Sequence, residues 1–370
     1  MSSLTNEDIQ GSHNWSLSNF TSTISSKPIY FDFPMRPVDP LDSFKKYAIL
    51  ITSVLGILGN LVIIYVFTKS KLKRPSTARY LAAIAVADTG YLSTILLINL
   101  TMYHKIPIHN LPGLCQVITF GGHSFPFLIR WYLTAVVVEK YIGVMWPRKK
   151  SQMCTVFRAK CVIISLAILS IVCYLYVTYF FVAMERPPSC TIIFSLLDTW
   201  QILTRMDAVV NFAFPYIIMF ILTSLITYRS WQYRKRSQNA SERFLRRRNV
   251  TTAGEKEFKT TPLLIMLIVC TLALCVPNSV SRLSELSPNF QPSSSETDLL
   301  IQGLFHYFEV VNSSIKVFIY SISSTSFARQ LANMFCGHCS RRKGDVSELQ
   351  NSNTGNQPEV LESTFTEGVV

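Results

Sequence analysis

Seven long apolar runs, separated by polar and basic connections, dominate the chain: approximately Tyr47–Thr68, Ala78–Met102, Gly113–Trp146, Ala159–Met184, Leu203–Tyr228, Thr260–Val280 and Leu299–Ser323. A bilayer core about 30 Å thick needs roughly 20 apolar residues per helix. Lipid offers the backbone no hydrogen-bond partners, so a spanning segment must satisfy its own N–H and C=O groups. Each run meets that length, and the pattern predicts an all-α membrane protein built as a seven-transmembrane helix bundle. What remains is an N-terminal tail over 1–46, short connections within a seven-span domain over 47–324, a short amphipathic eighth helix over 325–336, and a polar C-terminal tail over 337–370. No separate soluble domain fits.

Composition agrees with this reading. Of 370 residues, 49% are hydrophobic and 15% charged, against about 25% charged in soluble domains; mean hydropathy is +0.28. The formal net charge of +13 is unevenly placed. Lys69, Lys71, Lys73, Arg74 and Arg79 follow the first run, and Arg148, Lys149, Lys150, Arg158 and Lys160 the third. Ten more lie between Arg229 and Lys259, and four in the tail, which puts 24 of the 35 cations on alternate connections. The other connections carry Lys105, Arg186 and Arg282. Cytoplasmic loops retain positive charge, so the N-terminus is expected outside and the C-terminus inside. The basic excess then faces anionic inner-leaflet lipid and cytosolic partners, and nucleic acid is not needed to explain it.

Residues 1–44 contain no apolar core of the kind a cleavable signal needs, so the first span is expected to act as its own insertion signal. Asn14-Trp15-Ser16 and Asn19-Phe20-Thr21 are glycosylation sequons on the expected outer side. Those at Asn239 and Asn249 fall on the cytosolic side, where the same pattern has no consequence. Of nine cysteines, the topology leaves only Cys115 and Cys190 outside. A bridge between them would pin the loop after the fourth span over the mouth of the bundle. Cys336 and Cys339, just beyond the amphipathic stretch Phe327–Phe335, are either palmitoylated or a plain reduced pair. There is no hydrolytic, metal-binding or phosphate-loop constellation, so neither enzyme activity nor a cofactor is expected.

Residues at fixed intervals carry a more specific message. Gly56-Ile57-Leu58-Gly59-Asn60 in the first span, Leu81-Ala82 through Asp88 in the second, Glu139-Lys140-Tyr141 with Lys140 25 residues after Cys115, Pro147, Pro215, Pro277, and Tyr320 followed by Phe327 recur in order. The chain resembles the rhodopsin-like G-protein-coupled receptors over about Tyr47–Cys339. The departures bear on mechanism. The triplet has Lys140 where the family has Arg, the sixth span reads Leu274-Cys275-Val276-Pro277 without the Trp, and the Asn-Pro of the seventh span reads Lys316-Val317. The fourth span has no Trp, and Thr223 stands where many members keep a Tyr. The resemblance implies an extracellular ligand and a heterotrimeric G protein as partners. Gly122 occupies the position of the acid that pairs with amine ligands, and Val310 that of the retinal-binding lysine, which disfavours amines and photoreception. The text around Thr77–Leu81 looks most like neuropeptide receptors, including those for FMRFamide-type peptides, so a peptide is the expected ligand. Thr119, His123, Asn278, Gln302, His306 and Glu309 are the expected contacts. Glu139, Lys140, Tyr141, Glu257 and Tyr320 are expected at the coupling end, with Lys140 latched loosely to Glu139 and Glu257, since Lys keeps the charge of Arg without its planar fork.

Asp88, Arg130, Glu309 and Lys316 are ionisable groups inside apolar runs, each costing roughly 2.5–3.5 kcal/mol at the centre of a lone helix. Such groups demand partners. On the seventh span Gln302, His306, Glu309, Ser313, Lys316 and Tyr320 recur at intervals of four and three, confining them to an arc of about 80° that must face the bundle interior. In the family a sodium ion binds at the second-span Asp, and Lys316 is expected to replace it by pairing directly with Asp88. Arg130 and Glu309 are expected to form a second, higher pair. Two other readings stay open: a receptor-like chain that no longer couples, and a seven-helix channel or transporter using these charges as a relay.

Overall fold

The structure, a computed structural model, describes residues 40–69, 76–185, 188–241, 253–284 and 296–335. Asn14, Asn19, Cys336 and Cys339 lie outside them. The first three spans are α1 (Pro40–Lys69), α2 (Ser76–His104) and α3 (Leu114–Met145). A short α4 (Pro147–Met153) leads into the fourth span, α5 (Val156–Phe180), whose first turn is capped by Thr155 accepting from the Arg158 N–H. The apolar run does not stay helical to Met184. Phe181–Glu185 form β1, paired antiparallel with β2 (Pro188–Ile192) so that Ala183 faces Cys190. An alternating hairpin and a helix end look alike when both are apolar.

The fifth span is composite: α6 (Leu197–Asp207), a π-helical turn over Ala208–Ala213, and α7 (Phe214–Ser241). Pro215 explains the turn. Its ring would strike the carbonyl of Asn211 in a regular helix, and it has no N–H to give; widening the preceding turn relieves both, and the Phe214 N–H reaches back to Val209 O. The sixth span, α8 (Ala253–Ser284), contains Pro262 and Pro277. The seventh breaks into α9 (Glu296–Ser314) and α10 (Lys316–Ser323) at Ile315. No proline marks that break. The Ser314 hydroxyl bonds back to Val310 O at 2.8 Å, and the Phe318 N–H closes a tighter turn on Ile315 O; such back-bonding bends helices. α11 (Thr325–Phe335) follows as the short amphipathic helix.

α3 is the central helix, packed against α2, α5, α7 and α8, while α8 and α9 pack together and α9 reaches α2. α1 joins the seventh span at Gly56, where an added Cβ would lie 2.3 Å from Ser314 Oγ and 2.7 Å from Leu92. Asn60 secures the same seam by donating to Gly56 O and Ser313 O, both at 2.9 Å. α5 turns most of its apolar side chains outward, including Phe157, Ile168, Val172 and Tyr179, as a peripheral helix in lipid does.

Five helical stretches among the described residues are long and apolar enough to cross a membrane: Lys46–Lys69, Ser76–His104, Val156–Phe180, Phe194–Tyr233 and Thr261–Ser281. α3 and the α9–α10 pair make the remaining passes. Their interiors hold Arg130, Glu139 and Lys140, and Glu309 and Lys316, all of them buried.

Candidate functional site

The interior polar groups lie at successive depths along the bundle. At the end bearing the hairpin, called the outer end, Cys115 at the start of α3 is bonded to Cys190 on β2, with Cα atoms 5.5 Å apart. Thr119, one turn below, donates its hydroxyl to Cys115 O at 2.7 Å and lies 3.7 Å from Cys190 Sγ. Its one proton being used, Thr119 Oγ1 accepts from His109 Nε2 at 3.2 Å. His109, in the loop between α2 and α3, is half-buried, and that burial lowers its pKa below the ordinary 6.5.

One turn further, His123 stacks on Tyr174 of α5 and meets Trp200 of α6 edge-on, with ring centroids 6.0 and 5.5 Å away. Trp200 also contacts Tyr176, Phe180 and Phe181. This ring cluster joins the third, fourth and fifth spans beneath the hairpin. The sequence points only to His123 in it, because the phase of α5 against α6 is not legible in two continuous apolar runs. On the other side Asn278 is buried, His306 half-buried and Gln302 exposed. The stripe on the seventh span therefore runs from an exposed Gln302 to deeply buried Ser313, Lys316 and Tyr320.

At mid-depth Arg130 and Glu309, 6% and 8% exposed, form an ion pair across α3 and α9, Nη1 to Oε1 3.5 Å. Arg130 does more than pair. Its Nε donates to Asn211 Oδ1 at 3.3 Å, and the guanidinium lies 4.1 Å over the ring of Phe212, both residues of the π-turn. Asn211 Nδ2 donates to the Tyr174 hydroxyl at 2.8 Å, which donates to Asp207 Oδ1. A continuous chain thus runs Glu309–Arg130–Asn211–Tyr174–Asp207 through four spans. Asp207, Asn211 and Tyr174 could have been suspected only as polar residues inside apolar runs.

Below it, a cavity of about 20 Å³ is lined by Arg130, Tyr216, Cys275, Glu309, Asn312 and Ser313 among others. Beneath the cavity Lys316 Nζ donates to both oxygens of Asp88, at 2.7 and 2.6 Å, with the two residues 1% and 0% exposed. The ammonium occupies the carboxylate face that an ion would need. This donor set does not fit a sodium ion.

Towards the opposite end Glu139 is buried, and its Oε1 accepts from Ser76 Oγ at 2.8 Å and Thr77 Oγ1 at 2.5 Å. The first turn of α2 holds this carboxylate oxygen, a tie that reading the triplet alone misses. Lys140 is buried beside it, and Tyr141 packs its ring edge-on against Trp146. Tyr320 is enclosed between Phe67 of α1 and Phe327 of α11, each 5.7 Å away. The side chain of Glu257 lies outside the described residues.

Comparison with known proteins places this architecture. The model of the 7 transmembrane receptor (rhodopsin family) matches residues 59–320. The pyroglutamylated RF-amide peptide receptor of Mus musculus is 22% identical over 343 residues, covering 88% of this chain and 76% of that protein. The thyrotropin-releasing hormone receptor of Gallus gallus is 33% identical over 117 residues, 31% of this chain and 29% of that protein. A Gq-coupled rhodopsin of Mizuhopecten yessoensis is 28% identical over 125 residues, 33% and 25% of the two chains. With a match spanning well over half its length, the chain belongs to the rhodopsin family of seven-transmembrane receptors.

Proposed function

We propose that this receptor binds an extracellular peptide between the outer ends of the third, fifth, sixth and seventh spans, under the hairpin held by Cys115–Cys190, and activates a heterotrimeric G protein at the opposite end. The observation that carries the ligand class is the similarity to a peptide receptor along 88% of the chain. Thr119, His123, Asn278, Gln302, His306 and Glu309 are the proposed contacts. Binding would favour a state in which α8 swings about Pro277 and opens a cytosolic cleft near Glu139, Lys140, Tyr141, Glu257 and Tyr320. The N-terminal tail, with glycans on Asn14 and Asn19, would face outward at the plasma membrane, and the basic connections would face inner-leaflet lipid. Amidated peptides applied to cells expressing the chain, read by calcium and cyclic-nucleotide reporters, test this. Ligand-dependent activation supports it, and an antibody to residues 1–44 that labels only permeabilised cells contradicts the orientation.

A second reading, a binding protein without coupling, draws on Lys140, Cys275 and the Lys316–Val317 pair, which alter three positions of the family's activation machinery. Saturable peptide binding without activation of any G protein would favour it.

A further inference from the structure

The chain Glu309–Arg130–Asn211–Tyr174–Asp207 is electrically unbalanced. It holds two carboxylates and one guanidinium, the Arg130 charge being engaged by Glu309. The Asp207 carboxylate accepts instead from a neutral phenol. The lower pair, Asp88 with Lys316, is balanced. An excess negative charge within a helix bundle is costly without a counter-charge, and here it sits at the outer end of the chain, where Asp207 is half-buried rather than enclosed.

Its surroundings are aromatic. Trp200 precedes Asp207 by seven residues on α6, so the two share a helix face. Tyr174, which bonds Asp207, is stacked by His123 and lies 6.5 Å from Tyr176, and Tyr176 lies 6.1 Å from Trp200. Trp200, Tyr176 and His123 are all partly accessible. A carboxylate among tryptophan and tyrosine rings suits a planar cation: the rings attract positive charge, and the carboxylate takes two parallel N–H bonds from a guanidinium. An ammonium has no plane to stack. Arg130 is the cation of the chain that Asp207 acts on electrostatically, and its guanidinium is already shared with Glu309 and Asn211, so one negative charge is left over.

We infer that Asp207, whose partner Tyr174 carries the ring cluster of His123, Tyr176 and Trp200, is the subsite for an arginine side chain of the peptide ligand. This rests on the peptide reading above and specifies one contact within it.

The test uses the full chain in cells, with surface expression measured, and two probes: an amidated peptide ending in Arg-Phe-amide, and its analogue with citrulline, the neutral isostere, for arginine. The unmutated receptor prefers the arginine peptide by about tenfold to a hundredfold, the size of one charge-assisted hydrogen-bond contact. In Asp207→Asn the arginine peptide loses potency by that factor and the preference vanishes. A preference that persists in Asp207→Asn overturns the inference. So does an equal loss for both peptides, which would mean that Asp207 only holds Tyr174 in place. If Asp207→Asn fails to reach the surface, Trp200→Leu serves: it removes a ring of that cluster and keeps the acid, and an unchanged preference refutes the subsite. If neither peptide binds the unmutated chain, the subsite for an Arg-Phe-amide arginine is refuted, while the broader peptide reading is decided by the amidated-peptide screen above.

Discussion

Replacing Lys316 by Met removes the ammonium and keeps the length of the side chain, leaving the Asp88 carboxylate with no counter-charge. In the intact protein both Asp88 oxygens lie within 2.7 Å of Nζ, and the two residues are essentially inaccessible. Breaking a buried pair of this kind from one side costs about 3–5 kcal/mol, whereas replacing both partners by apolar residues of similar volume is often neutral. The double variant Asp88→Leu with Lys316→Met should therefore recover most of what Lys316→Met loses. The two substitutions should be non-additive by several kcal/mol, in the direction expected of groups in contact. Thermal unfolding of purified protein in detergent reads the effect directly. At roughly 2–4 °C per kcal/mol for a large domain, Lys316→Met should lower Tm by about 10 °C, with the double variant close to the unmutated protein. Surface expression in cells should follow the same order. A Lys316→Met variant as stable as the parent, or a double variant that loses the sum of the two single losses, would refute the pairing as the feature that makes these charges tolerable.

The same geometry predicts that agonist affinity is unchanged when external sodium is replaced by a bulky inert cation, since the ammonium already holds both Asp88 oxygens; a strong sodium dependence in the unmutated receptor would contradict it. Gly56→Val would drive a side chain into Ser314 and Leu92 at contact distances under 3 Å, and overpacking of this kind costs about 1–3 kcal/mol; an unchanged Tm would show that the first span can move away from the seventh. His109 is neutral-favouring through burial, its pKa lowered from 6.5. Because the folded value is the lower one, its contribution to stability is fully present above the ordinary imidazole value and is lost as pH falls below it. Tm should therefore decline on acidification through that window and decline less in His109→Gln, and equal pH slopes in the two proteins would count against it.

The parts of the fold legible in the sequence are those governed by periodicity and by local backbone rules. The apolar runs mark the spans, Pro215 marks the irregular turn of the fifth span, and the three- and four-residue spacing around the seventh span marks which face turns inward. What stays hidden depends on how one helix is rotated against another. Tyr174, Asp207 and Asn211 sit in apolar runs with no mark that they converge, and Ser76 and Thr77 meet Glu139 only because the start of α2 abuts the end of α3. The break at Ile315 is hidden for another reason: serines rather than a proline accompany it.

Hydropathy judges each span alone: α3, with Arg130 at its middle, does not stand out as an apolar helix, and the seventh pass is both divided at Ile315 and interrupted by Glu309 and Lys316. The charges in these two passes are tolerable because another helix supplies each with a partner: Arg130 on α3 meets Glu309 on α9, and Lys316 on α10 meets Asp88 on α2. The transfer cost of an ionised side chain belongs to the assembled bundle, not to the helix that bears it. Insertion of the third and seventh spans should accordingly depend on their partners. A third span carrying Arg130 and expressed without the seventh should insert less efficiently than Arg130→Leu in the same truncated chain, whereas in the full chain the order should reverse, because Arg130→Leu strands Glu309. Protease protection of glycosylation-tagged truncations measures both, and equal insertion of the two truncated chains would mean that lipid and water alone accommodate the arginine.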